Sequence, residues 1–193
     1  MRSFSSLMRR MVSRRVSSRW LSRFARDDRA ISAVEFALIL PLMVALYFGC
    51  VEASQAVTID RKVTLTARTV ADLVAQVATI NNAGIDSVLG ASTTILAPYS
   101  ATNATVTVSL VNIDKNGTAK ISWSRSTNSS AAHSSGDPVN VPAALRTPNT
   151  SLVWGETSYT YNSVLADAMT GPITLTDQIF MRPRLSETVI KTN

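Results

Sequence analysis

Residues 27–50, DDRAISAVEFALILPLMVALYFGC, decide the fold. A charged cluster opens the stretch, and from Phe36 to Val51 no residue carries a charge. The apolar run from Ile31 to Val51 has 21 residues. That is close to the roughly 20 that a helix needs to cross the hydrocarbon core of a bilayer. Pro41 would break a helix in water but is tolerated in a membrane span, where it is expected to mark a kink. Glu35 is the residue out of place. A carboxylate within a span is costly and points to function by default; near the interface the cost falls, and a glutamate at this depth can also simply reach the headgroups.

The charge around the run is lopsided. Before Ala30 stand nine arginines and two acids, a net +7; from Ala30 onward ten basic residues face eleven acidic ones, a net −1. The basic character belongs to the leader, so the folded part lacks the footprint of a nucleic-acid-binding face, and no nucleic-acid partner is expected. The excess of arginine places the N-terminus in the cytoplasm and residues 52–193 outside, with the membrane crossed once. Residues 1–26 hold eight Arg, seven Ser and no acid, which is also the composition of a mitochondrial transit peptide. Val12, Val16, Trp20 and Phe24 recur every four residues, as in a basic amphipathic helix. Met8 and Met11 are alternative starts. Cys50 is the single cysteine, which rules out a disulfide within the chain; at the end of an apolar run it reads as a buried, inert thiol.

Beyond the run the pattern becomes amphipathic. Val63, Ala67, Val70, Val74 and Val77 fall at spacings of three and four, opposite a polar stripe of Asp60, Thr64, Arg68, Asp72 and Gln76. Arg68 and Asp72 are placed to pair at i, i+4. With no Gly or Pro between Val51 and Thr79, one helix is expected to run from 31 to 79 and to end at the turn residues NNAG, 81–84.

The remainder reads as strands. Val106, Val108 and Leu110 alternate with polar residues; KNGT, 115–118, predicts a two-residue hairpin turn at Asn116–Gly117; Ile121 and Trp123 alternate on the return. Two more strands are expected at 151–164, with Gly155 as a bulge candidate, and at 174–185, with a short helix at 163–170. Residues 126–150, with three prolines among Ser, Asn and Thr, read as an exposed flexible loop. The fold class is α+β: a long N-terminal transmembrane helix that continues into an amphipathic helix, then a small antiparallel sheet. Four segments are expected: leader 1–30, span 31–51, amphipathic helix 52–80 and β-rich domain 81–193.

Chemistry-bearing patterns are sparse. His133 is the single histidine and reads as a solvated residue of the 126–150 loop. No Cys/His set has metal-ligand spacing, and no phosphate-binding glycine loop or nucleophile elbow appears. No catalytic residue, metal or cofactor is expected. Arg182 and Arg184 read as a solvated strand end or a contact for acidic groups.

The region around Glu35 carries a sharper signal. Taking Ile31 as the first residue after a cut, Glu35 is the fifth and Phe36 the sixth. This resembles a prepilin processing site, with Ala30 where the motif usually has Gly. AVEFALILP after a basic leader, Glu52 beyond the span, RTVADLVAQ at 68–76, and more weakly ETSYTY at 156–161 and FMRPRLSETV at 180–189 are similar to TadE-like proteins, minor pseudopilins of the tight-adherence (Flp-type) pilus. The resemblance implies cleavage between Ala30 and Ile31 by a prepilin peptidase. It also implies pairing of Glu35 with the new amine of a neighbouring subunit, and partners among pilin subunits and the pilus assembly platform. Two other readings stay open: an uncleaved single-span anchor presenting an extracytoplasmic binding domain, and a mitochondrial inner-membrane protein.

Overall fold

The structure is a computed structural model that describes residues 28–162 and 171–192. The leader up to Asp27 and the expected short helix at 163–170 lie outside the described residues. The chain divides into two compact units, one ending at Phe48 and the other beginning at Gly49. The architecture is the expected α+β: a long apolar helix, a second helix and a four-stranded antiparallel sheet.

Helix α1 runs Asp28–Ala75, unbroken across Pro41. In the first unit its apolar side chains are bare; Leu38 is 75% exposed. In the second unit the stripe at spacings of three and four is buried: Ile59, Val63, Ala67, Val70 and Val74 are each at most 1% exposed. Each isoleucine or valine among them contributes on the order of 1.5–3 kcal/mol when fully buried. Cys50 is exposed rather than buried, because burial along the helix begins only at Ile59.

The helix ends at Ala75, four residues short of the expected limit. The backbone N–H of Arg184 donates to the Ala75 carbonyl at 2.8 Å, satisfying one acceptor of the last turn. Strand β1, Thr79–Ile80, then pairs in parallel with β6, Ile190–Lys191. NNAG starts an element rather than ending one. The Asn81 side chain accepts from the Gly84 N–H at 2.8 Å and caps a second helix, α2, Asn82–Leu96. Ile85, Leu89, Ser92 and Leu96 form its buried stripe. Lys62 of α1 closes its other end, donating through Nζ to the carbonyls of Ile95 and Ala97 at 2.9 and 2.6 Å.

The sheet has the order β3-β2-β4-β5, all antiparallel, from β2 Ala104–Ile113, β3 Ala119–Ser126, β4 Thr150–Tyr161 and β5 Ile173–Met181. The β2–β3 turn is one residue longer than expected. Gly117 donates to Asp114 O and Asp114 donates to Thr118 O, each at 3.0 Å, so Lys115–Asn116–Gly117 form a three-residue loop with Gly117 at φ +79°. Gly155 is not a bulge: it pairs in register with Val108 and Ile179, and the register shift lies between Leu110 and Val111. Its missing side chain serves packing instead, since a Cβ there would stand 2.6 Å from the Ala67 carbonyl oxygen and 3.0 Å from Ala71 Cβ.

One sheet face packs on the second half of α1 and on α2, through Val106, Val108, Leu110 and Val153 against Val70, Val74, Ile85 and Leu89. The C-terminal tail clasps this core. Val189 is 1% exposed, and the Trp123 indole N–H donates to its carbonyl at 3.2 Å. Arg184 pairs with Asp72 of α1 while its side chain stays mostly exposed. Asp72 also accepts from Gln76 at 2.5 Å and turns to these two rather than to Arg68. Arg182 donates to Thr147 Oγ1 at 3.0 Å.

Candidate functional site

Two surfaces carry chemistry. The first is the start of α1. The Ala30–Ile31 peptide lies in the opening turn, and Glu35 follows Ile31 by one helical turn, so both sit on one face. Glu35 and Phe36 are exposed, and among the described residues no ion pair engages the Glu35 carboxylate. The surrounding surface is apolar on all sides, reaching a mean hydropathy of 2.2 over an 18-residue window with none of it buried within the chain. A helix apolar all round requires an environment that covers it. This one helix near the N-terminus fits a single-pass membrane anchor.

Residues 30–72 match the family model for TadE-like protein. That stretch is TadE-like. It holds Ala30, Ile31, Glu35, Phe36 and Pro41 together with the half of α1 that packs on the sheet as far as Thr66, Ala67, Val70 and Ala71. The match covers 43 of the 193 residues; the sheet lies outside the TadE-like segment. No curated protein and no solved structure matches the chain.

The second surface is the sheet face turned away from α1, which divides into two halves. Over Val111, Ile113, Ile121 and Leu152 the 126–150 segment is a packed cover, with Val141 fully buried and Val139 and Leu145 against the same cluster. It also pairs with the β3 edge, where Val139 N–H donates to Ala119 O at 3.0 Å and Ile121 N–H to Asp137 O at 2.9 Å. The expected flexible loop is therefore in part a structural element, because its larger apolar residues, Val139, Val141 and Leu145, face this cluster.

At the boundary between the halves stands His133. Its ring stacks on Trp154 at 4.8 Å and 14°, and Trp154 stacks on Phe180 at 5.5 Å and 12°. His133 Nε2 lies 2.6 Å from Glu156 Oε2, and its backbone N–H donates to Ser124 Oγ at 3.1 Å. The expectation of a solvated histidine fails: its side chain is one-third exposed. Burial pushes the Glu156 carboxyl above its ordinary value, and the hydrogen bond from His133 opposes that rise. Sequence reasoning missed this cluster because its members come from three segments, and no local spacing joins residues 133, 154 and 180.

Proposed function

We propose that this protein is a pseudopilin-type subunit that takes part in assembling a tight-adherence pilus, held in a bacterial inner membrane by residues 31–51 with the β-rich domain on the outer side. The single observation that carries the reading is the coincidence of the TadE-like match with the bare apolar half of α1, where Glu35 stands without a partner among the described residues. TadE-like proteins are pilus components, and the role assigned here is structural rather than catalytic. A prepilin peptidase cuts between Ala30 and Ile31 and creates an amine on the same helix face as Glu35. In an apolar bundle that amine and the Glu35 carboxylate of a neighbour attract far more strongly than in water, while either charge alone would be costly. The pair then sets the axial register between subunits, with Phe36 and the kink at Pro41 shaping the contact.

The experiment is N-terminal sequencing of the mature protein from its host's membranes, combined with Glu35→Ala. The expected results are a start at Ile31 and a variant that inserts in the membrane but does not support pilus assembly. An intact leader together with normal assembly by Glu35→Ala would overturn the proposal and favour an uncleaved anchor presenting its outer domain.

A further inference from the structure

The open half of the outer sheet face is a groove of about 520 Å³, within the range of roughly 300–1,000 Å³ typical of small-ligand sites. Its floor is two cross-strand rows, Thr107–Glu156–Gln178 and Thr105–Ser158–Thr176, each set side by side by the register of β2, β4 and β5. His133 forms one wall. Among the described residues no lysine or arginine lines it, which disfavours phosphates and other anions. The floor carries hydroxyls, an amide and the Glu156 carboxylate, with Asp177 also on the lining, which favours a ligand that hydrogen-bonds over a purely greasy one.

The polar groups are only partly used within the protein. Glu156 gives Oε2 to His133, leaving Oε1 free to accept. Gln178 Oε1 accepts from the Trp154 indole N–H at 3.0 Å, leaving the amide nitrogen free to donate. Among the described residues no hydrogen bond engages the hydroxyls of Ser158 or Thr176. An acceptor and a donor on directly paired residues, roughly 5 Å apart at Cβ, match two adjacent hydroxyls of a sugar ring: one donates to the carboxylate and the next accepts from the amide.

We propose that this groove binds a neutral saccharide, with Glu156 and Gln178 engaging a vicinal diol and Ser158 and Thr176 its neighbouring hydroxyls. Both faces of the Trp154 ring are occupied, by His133 and Phe180. Recognition therefore rests on hydrogen bonds without stacking, and affinity is in the millimolar range. The site lies wholly in the second unit and does not rest on the assembly reading.

The test uses the full chain in lipid nanodiscs, free of glycoside detergents, with saturation-transfer NMR to glucose, galactose, mannose and N-acetylglucosamine at up to about 50 mM, ample for a millimolar site. Gln178→Glu keeps the acceptor for Trp154 and removes the amide donor; Ser158→Val removes a hydroxyl while suiting a strand. Near-UV circular dichroism verifies that both variants keep the Trp154 environment. The expected result is transfer to at least one sugar, reduced roughly 10-fold or more by Gln178→Glu and several-fold by Ser158→Val, as loss of one or two hydrogen bonds implies. Transfer to none of the four sugars, or transfer unchanged in both folded variants, overturns the proposal. So does stronger binding of tetramethylammonium than of any sugar, which would make the groove a cation site on Glu156.

Discussion

The two halves of α1 are built from similar residues and behave differently. Before Phe48 the apolar residues occupy every direction around the helix, and the chain covers none of them. From Ile59 onward a stripe of them recurs at three and four, and the chain buries that stripe against its own sheet, leaving Leu65 and Leu73 outside it. Periodicity thus locates a partner inside the chain, while apolarity without periodicity locates one outside it, in lipid or in other subunits. The glycines repeat the contrast: a Cβ on Gly49 would meet nothing within 4 Å, whereas one on Gly155 would meet helix backbone at 2.6 Å.

The comparison breaks first at Gly155. Gly155→Val forces β4 away from α1, since backbone cannot yield as a flexible side chain can. The expected loss is about 3 kcal/mol or more, read as a lowered denaturation midpoint of the outer domain in nanodiscs; Gly49→Ala in the same assay leaves that midpoint unchanged. A Gly155→Val protein of normal stability would mean that the two elements do not approach so closely. Next is the tail clasp. Val189→Ala removes buried methyl groups beside Trp123 and is expected to cost about 1–2 kcal/mol, with faster amide exchange at Ile190 and Thr192, which donate to Ala78 and Ile80 at 3.0 and 2.9 Å.

How much was legible follows the same division. The apolar run, the stripe from Val63 to Val74 and the strands around Val108, Trp123, Val153 and Ile179 were readable because each is a local period of 3.6 or 2. Helix α2 was not read, although Ile85, Leu89 and Leu96 follow a helical spacing, because an asparagine–glycine cluster marks a helix start as well as an end. Gly155 is ambiguous in the sequence for a related reason: a glycine in a strand signals either a bulge or a close approach, and only the position of α1 decides. Of the candidate sites, the Ala30–Glu35 region was visible in the order of residues. The groove was not, because residues 133, 156 and 178 meet only through strand register and the folding back of the 126–150 cover.

A smaller effect is expected at Glu156. Its carboxyl is held above the ordinary value of 4.5 by burial, against the opposing hydrogen bond from His133. A raised carboxyl favours the folded state at low pH. That contribution is complete below the unfolded value and is lost as pH rises through the folded one. Glu156→Gln keeps an acceptor for His133 and removes the desolvated charge, so the variant is expected to match or exceed the parent in stability at pH 7 and to lose this part of the pH dependence. A variant markedly less stable at pH 7 would show that the ion pair with His133 outweighs the burial penalty.

The smallest effect belongs to the Asp86–Arg125 pair, which links α2 to the edge strand β3 by two contacts, Nε to Oδ1 at 2.5 Å and an Nη to Oδ2 at 2.6 Å. The geometry is bidentate, and the hydrogen bond from Arg125 lowers the Asp86 carboxyl below its ordinary value of 3.8. A lowered carboxyl contributes stability above the unfolded value and loses it as pH falls through the folded one. Both side chains are more than a third exposed, so water and salt screen the pair. Asp86→Asn is therefore expected to leave the denaturation midpoint at pH 7 almost unchanged, and to remove a slight weakening of the parent below pH 4 and in high salt. A large loss at pH 7 would mean that α2 is held to the sheet by this pair rather than by Ile85 and Leu89, and the core would then stop short of the second helix.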